Sequence, residues 1–352
     1  MIDRLPEDAA TLYAETLAVL LAREQGRDWS HLSGGFATKT IKGADYLYFQ
    51  YSDPGGVRRQ FAVGRLDANL AQLVEQYGAG REARRLDLER IQRLSGLLRS
   101  AGAAVTPHGP ARVLRALADA GVFAAGGVLM GSYAFVMIGN LLGLRWPAAT
   151  WRTQDVDVAG HVQVALPNAE ADIPSALESL QMGFVPIPDF DPRNPSTSFH
   201  VRGAHLRVDL LTPGGDRDTK PIAIPRFRTA ASPIKWLSLA MNEAQPAVSI
   251  EGANTVLVTV PSPARYALHK LLVSQTRSVT QQTKSGKDLH QAALLLEALA
   301  EDRPDDLESA AEALYESGPA VTKKVLRGLE TAVRRWPECA AAEGLVRPGL
   351  LG

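Results

Sequence analysis

GGVLMGSYAFVMIGNLLGLRWPAATWRTQDVDV, residues 126–158, is the stretch around which the chain is organised. It contains a short apolar run, a Gly-Ser turn, a segment with apolar residues at helical spacing and a D-x-D pair, in that order. About fifty residues later, LRVDLL places Asp209 inside a second short apolar strand. We therefore expect two strands that carry three carboxylates, preceded by a turn of small residues.

The carboxylates predict a metal site. Asp155 and Asp157 are one residue apart, so on a strand both side chains project from the same face. Carboxylates held that close repel each other unless a cation lies between them, and oxygen ligands of this kind suit Mg²⁺. Asp209 on an adjacent strand supplies the third ligand. This triad indicates phosphoryl transfer with two Mg²⁺ ions, in which the three aspartates are both the metal ligands and the catalytic residues.

The turn before the D-x-D pair predicts a place for a nucleoside triphosphate (NTP), the expected co-substrate. Gly131 would let the backbone approach the phosphates, while Ser132 and the first amides of the following helix would hold them. Thr153, just before the strand, either positions a phosphate or caps the loop.

Composition excludes several classes of protein. The chain has 352 residues, 45% of them hydrophobic and 22% charged, which is typical of a globular protein with a real core. Its formal net charge is zero, so the global charge gives no reason to expect a nucleic-acid partner. The single cysteine, Cys339, excludes an internal disulfide. The acidic N-terminus and the lack of a long apolar stretch lead us to expect a cytoplasmic protein with no membrane partner.

Three regions are expected, in an α+β fold with a small mixed sheet and flanking helices. Residues 1–106 form a helix-plus-β-hairpin accessory region, residues 107–261 the catalytic domain, and residues 262–352 a C-terminal helical domain. A linker is expected at 107–110, a strand at 161–166 and a helix at 173–182. The segment 66–99 is expected to be helical but interrupted near Gly78 and Gly80.

Two features of the accessory region have alternative interpretations. The expected hairpin carries aromatic residues among basic ones, which either stack on bases and hold phosphates or pack on neighbouring helices. The arginine-rich half of the following helix also contains acidic residues, so it either forms ion pairs on a solvated face or contacts nucleic acid.

GSY, DVDVA and VDLL together resemble the signature of the DNA polymerase β-like nucleotidyltransferase superfamily, over roughly 122–211. The interval between Ser132 and Asp155 is longer than in the family pattern, and an enlarged helix and loop would accommodate it. PSPARYALHKLLVSQTR and KSGKDLHQA further resemble bacterial nucleotidyltransferase-fold proteins related to abortive-infection toxins of the AbiE type. That resemblance implies four more residues of the nucleotide site: Lys270, Arg277, Lys287 and Asp288. Lys270 would bind phosphate and Asp288 would orient a lysine or a metal-bound water, whereas ion pairs on a helix surface are the alternative.

The resemblance implies an enzyme that moves a nucleoside monophosphate from an NTP such as ATP to an acceptor hydroxyl. It suggests an RNA acceptor, such as the 3′ end of tRNA, a toxin or phage-defence role, and an antitoxin or other protein partner. Residues 193–235 hold eight Lys or Arg against three acids, which suits a triphosphate, an RNA or a solvated hairpin. A small-molecule acceptor of the antibiotic kind, a protein acceptor, and a catalytically quiet nucleic-acid-binding protein stay open as alternatives.

Overall fold

The computed structural model describes residues 2–26, 34–52, 58–147, 155–160, 172–252, 254–277 and 282–351. At residues 52, 155–160, 226 and 254 it describes the backbone only. The predicted turn at 53–56 and the predicted strand at 161–166 lie outside the described residues.

The accessory region combines two helices with a small antiparallel sheet. Its elements are β1 (Asp3–Arg4), α1 (Glu7–Gln25), β2 (Gly35–Ile41), β3 (Ala44–Ser52), β4 (Arg58–Arg65) and α2 (Ala68–Ser100). The predicted pairing of β3 with β4 is confirmed, and β2 adds a strand that was not predicted. The predicted interruption near Gly78 and Gly80 is wrong, because α2 runs through both glycines.

The structure shows how the aromatic residues of the accessory sheet and the arginines of α2 are packed. Phe36 and Phe49 meet Tyr77 of α2 edge to face, with ring centroids 5.1 and 5.9 Å from the tyrosine ring. Phe61 lies 5.7 Å from Phe49 on the same side of the sheet. On the arginine-rich half of α2, Arg85 pairs with acidic residues one turn away in both directions. Aromatic packing and helix-surface ion pairs are thus observed.

The predicted catalytic region holds the largest sheet. Its elements are α3 (His108–Asp119), β5 (Gly127–Met130), α4 (Gly131–Leu141), β6 (Leu144–Arg145), β7 (Asp155–Gly160), α5 (Ile173–Ser179), β8 (Phe184–Pro186), β9 (Ser198–Val201), β10 (Arg207–Gly214), β11 (Ile222–Ile224), β12 (Thr229–Lys235), α6 (Leu237–Met241), β13 (Gln245–Glu251) and β14 (Asn254–Val260). Within the described part of the chain, seven of these strands form one sheet with the path β11-β12-β10-β7-β5, and β9 joins β10 to β8. β7, β10 and β12 are parallel, whereas β5, β9 and β11 pair antiparallel. The predicted α+β class and mixed sheet are confirmed.

Two predicted boundaries in this region are wrong. The expected linker at 107–110 is largely helix, because α3 begins at His108 and Pro110 lies in its first turn. The amides of a first turn have no partner within the helix, so the missing N–H of proline costs no helical hydrogen bond there. α5 ends at Ser179 instead of 182, and Gln181 then adopts a left-handed conformation with φ 51°.

The C-terminal region is helical, as predicted. It consists of α7 (Pro263–Ser274), α8 (Gln282–Asp302), α9 (Pro304–Tyr315), α10 (Pro319–Arg335) and α11 (Ala341–Leu351). Buried residues of these helices belong to the same hydrophobic cluster as β5 and α4. The division at 261 and 262 stays a prediction. None of the helices in the described residues is long and apolar enough to cross a bilayer.

Candidate active site

Strand register brings the three predicted aspartates to neighbouring positions on the sheet. Asp209 of β10 lies directly opposite Asp157 of β7, and Arg207 lies opposite Asp155. On the other side of β7, Met130 of β5 is the partner of Asp157. Since directly opposed residues share a face, positions 155, 157 and 209 lie on one face of the sheet. The register describes backbone positions, and the side chains at 155 and 157 lie outside the described part.

Asp209 is the member of the triad whose surroundings are described. Its Oδ1 accepts a hydrogen bond from the Ser198 hydroxyl at 2.5 Å and another from Arg207 Nε at 2.6 Å. The side chain is 22% exposed, and Oδ2 accepts no hydrogen bond from a described residue. An oriented carboxylate with one oxygen left over suits a hard divalent cation. No group of three His, Cys, Asp or Glu that could hold a metal lies together among the described residues, which do not include the side chains of Asp155 and Asp157.

The predicted Gly-Ser turn lies at the junction of β5 and α4. Gly131 is the first residue of α4 and has φ 71°, a left-handed conformation that favours glycine. Its carbonyl accepts a hydrogen bond from the Tyr266 hydroxyl of α7 at 2.5 Å. Ser132 follows in the first helical turn, where backbone amides have no partner within the helix and can receive an anion.

A buried cluster of charges faces this turn from the C-terminal helices. Lys270 Nζ and Arg277 Nε each lie 2.6 Å from an oxygen of Asp288, whose side chain is 5% exposed. Burial alone would raise the pKa of Asp288, but the positive charges of Lys270 and Arg277 outweigh it and lower that pKa below its usual range. Burial would likewise lower the pKa of Lys270, and the charge of Asp288 raises it above its ordinary value instead. Asp288 and Lys270 therefore stay ionised at neutral pH.

One cleft of about 320 Å³ gathers most of the predicted nucleotide-binding residues. Its lining includes six of them: Gly131, Ser132, Lys270, Arg277, Lys287 and Asp288. Thr153, the seventh, lies outside the described residues. Met130 and Leu211 also line the cleft. Met130 is the register partner of Asp157, and Leu211 is two residues from Asp209, so the cleft opens on the face that carries the aspartate positions.

The ion pair of Arg277 is not the pair on a helix surface that was the alternative interpretation of this residue. Arg277 follows the C-terminus of α7 and pairs with a buried carboxylate of α8, not with a neighbour on the surface of one helix. Lys284 adds a further cation to the cleft lining. The described cleft thus presents four Lys or Arg side chains and one Asp.

Sequence reasoning missed several residues of the site. His269 is 6% exposed and lines the cleft, and neither ring nitrogen has a hydrogen-bond partner among the described residues. Burial, and then the charge of Lys270, lower the pKa of His269 to about 4, so the ring is neutral at pH 7. Tyr266 and the Ser198–Arg207 pair were also missed. The sequence signal that could have found two of these residues is their closeness to predicted site residues: His269 precedes Lys270, and Arg207 lies two residues from Asp209.

The D-x-D strand lies parallel to the strand that carries Asp209, beside a glycine turn and a basic cleft, and this arrangement suits the binding of nucleotide phosphates. Residues 108–316 match the nucleotidyltransferase family, and the chain belongs to that family. The predicted superfamily is thereby confirmed. The crystal structure of an antigenic nucleotidyltransferase-like protein from Paracoccidioides brasiliensis is similar to this chain at 16% sequence identity. The similarity covers 61% of this chain and 92% of that one, with a TM-score of 0.31. Among curated proteins, none matches this chain.

Proposed function

We propose that this nucleotidyltransferase moves a nucleoside monophosphate from an NTP to an acceptor hydroxyl in a Mg²⁺-dependent reaction of the EC 2.7.7 type. The acceptor oxygen forms a bond to the α-phosphorus, the bond to the β-phosphate oxygen breaks, and pyrophosphate leaves. The observation that carries the proposal is the placement of the Gly131 turn and the cation cleft on the same face as positions 155, 157 and 209.

In this proposal the cleft holds the triphosphate. The amides at the start of α4 and the Ser132 hydroxyl receive one phosphate, while Lys270, Arg277 and Lys287 neutralise the others. Asp288 is a positioning residue, because it fixes the ammonium of Lys270 and the guanidinium of Arg277. Thr153 is proposed as a further phosphate contact.

Asp155, Asp157 and Asp209 are proposed to hold two Mg²⁺ ions. When bound, such ions acidify the attacking hydroxyl and stabilise charge on the leaving pyrophosphate. Asp209 is also the proposed base, or the anchor of the base, for the acceptor proton. Ser198 and Arg207 donate hydrogen bonds to its Oδ1, so Oδ2 would be available to a Mg²⁺ ion or to the acceptor proton.

The test is transfer of label from each α-³²P-NTP with Mg²⁺ and purified protein. Asp157→Asn keeps the size of the side chain and removes its charge, so we expect activity to fall by at least 100-fold while the circular dichroism spectrum stays unchanged. Asp191→Asn is the matched control, because Asp191 is a carboxylate outside the cleft that pairs with Arg193. Undiminished NTP consumption by Asp157→Asn would refute the assignment of the triad and favour a catalytically quiet binder.

For the acceptor we propose RNA, with the 3′ end of tRNA as the first candidate. The exposed basic residues of 193–235 support this, since Arg202, Arg217 and Lys220 lie at the surface beside the sheet that carries Asp209. The proposed biological setting is a cytoplasmic toxin or phage-defence protein of the AbiE type with an antitoxin or other protein partner. Total RNA, lysate protein and aminoglycosides are offered in parallel as acceptors. Label in RNA supports the proposal, and label only in protein or aminoglycoside replaces it with one of the other acceptor classes.

A further inference from the structure

A second cleft lies between the accessory helices and the β13–β14 hairpin. It has about the same volume as the candidate active site, about 320 Å³, and shares no lining residue with it. Its walls come from α1, α2, α3 and β14. Leu20, Val256 and Leu257 form an apolar side. Volumes of this size are typical of small-molecule sites.

Arginines from three separate helices converge in this cleft. Arg23 of α1, Arg84 of α2 and Arg115 of α3 line it together with two carboxylates, Glu24 and Asp119. Burial, followed by the like charge of Arg84, lowers the pKa of Arg23. Glu24 and Asp119 offset two of the three positive charges, so the lining keeps an excess of one positive charge, which favours an anionic ligand in a partly buried site.

Two polar atoms of the cleft lining lack hydrogen-bond partners among the described residues. Arg115 forms an ion pair with Glu251, whose Oε2 lies 3.9 Å from Arg115 Nη2, but this buried nitrogen donates no hydrogen bond to a described residue. Thr255 is 5% exposed, and its hydroxyl also has no partner among the described residues. A buried donor without a partner costs roughly 1–3 kcal/mol, so an acceptor that entered the cleft would be favoured.

We infer that this cleft is a second ligand site, which binds a small phosphate-bearing molecule. The guanidinium of Arg115 and the hydroxyl of Thr255 would donate to phosphate oxygens, with Arg23 and Arg84 supplying charge. The apolar side formed by Leu20, Val256 and Leu257 would contact the uncharged part of the ligand. This second site is independent of the proposed nucleotidyl transfer, because none of its residues is assigned a role in that reaction.

The probes are inorganic phosphate and pyrophosphate, titrated by calorimetry into the full chain in chloride buffer at constant ionic strength. Pyrophosphate is expected to bind at two sites in the unmodified chain. Arg115→Gln should weaken one of them about tenfold or more, the usual loss for a charged hydrogen bond. Thr255→Val, which keeps the shape of the side chain, should weaken the same site by a smaller factor. Lys287→Glu should weaken the other site only.

The outcomes separate the alternatives. If the arginines form a purely structural ion network, Arg115→Gln will lower stability to urea in chloride and leave both titrations unchanged, which overturns the proposal. If Arg115→Gln does not fold, Thr255→Val makes the same comparison, and unaltered pyrophosphate binding by that variant also overturns it. If Asp157→Asn loses nucleotidyl transfer and still binds pyrophosphate at the second site, the two sites are independent of each other.

Discussion

Asp288 supplies the counter-charge for two cations of the cleft. Lys270 and Arg277 both contact it, and the three side chains are 11%, 25% and 5% exposed for Lys270, Arg277 and Asp288. Asp288→Asn would leave two largely buried cations without their counter-charge. Removing one partner of a buried pair costs about 3–5 kcal/mol, so we expect the free energy of unfolding in urea at pH 7 to fall by that amount.

Asp302→Asn is the matched control for Asp288→Asn. Like Asp288, Asp302 accepts two charged hydrogen bonds, but both come from the guanidinium of Arg4, each at 2.9 Å. This pair is at the surface, with Arg4 42% and Asp302 31% exposed. Exposed pairs contribute about 0.2–1 kcal/mol, because water screens them. Equal losses in the two variants would contradict the view that burial gives the Asp288 cluster its strength.

His269 predicts a particular dependence of stability on pH. Its pKa is lowered to about 4 in the folded chain, against about 6.5 in an unfolded chain. The unfolded state therefore binds more protons between these values, and stability falls as the pH drops from about 6.5 toward 4. The shift corresponds to a loss on the order of 3 kcal/mol at 1.36 kcal/mol per pKa unit.

Urea denaturation of the unmodified chain and of His269→Gln, measured at intervals between pH 7 and pH 4, tests this prediction. The variant should lose less stability over the interval, because glutamine does not titrate. Asp288 does not obscure the comparison: its pKa is lowered, so its contribution is lost only as the pH falls below the range of an ordinary aspartate. Parallel curves for the two proteins would show that His269 is not kept neutral by burial.

Among the helices, two interior glycines are predicted to respond in opposite ways to alanine. A Cβ at Gly78 of α2 would meet no atom within 4 Å, so Gly78→Ala should raise the free energy of unfolding by about 0.5–1 kcal/mol through helix propensity. A Cβ at Gly328 of α10 would lie 2.8 Å from the carbonyl oxygen of Leu271 in α7. Gly328→Ala should therefore lower the free energy of unfolding by about 1–3 kcal/mol, the usual cost of overpacking. Urea denaturation measures both, and the same sign for the two variants would contradict the packing of α10 on α7.

The elements that could be predicted from the sequence are those with a local signal. The D-x-D alternation predicted β7, and the apolar flanks of Asp209 predicted β10, because the side-chain period of a strand is visible in a few residues. The continuity of α2 could not be predicted, since the propensity cost of Gly78 and Gly80 is visible locally and the packing of Tyr77 on Phe36 and Phe49 is not. The strand β2 was missed although its signal is local: it joins β3 through a two-residue turn, Lys42 and Gly43, and both residues have the positive φ that such hairpin turns require.

Sites assembled from distant parts of the chain were harder to predict. Lys270 and Asp288 were predicted as site residues through a family resemblance, and the buried contacts of Asp288 with Lys270 and Arg277 depend on the packing of α7 on α8. The second cleft had no sequence signal at all. Its arginines stand in three helices among many other charged residues, and only the folded chain distinguishes Arg115 from an ordinary surface residue.

At the scale of the whole molecule, the C-terminal helices and the seven-stranded sheet are predicted to unfold together. Ten residues of α7 are buried, and Tyr266 among them donates a hydrogen bond to Gly131 at the start of α4. A chain of residues 1–261 would expose the apolar surface that α7 covers, at a cost of about 25 cal/mol per Å². We expect this fragment to lack a cooperative thermal transition and to regain one on co-expression with residues 262–352. The full chain should show one transition by calorimetry, with equal calorimetric and van't Hoff enthalpies. A cooperative transition in the 1–261 fragment alone would instead mean that the division at 261 and 262 separates two domains that fold independently.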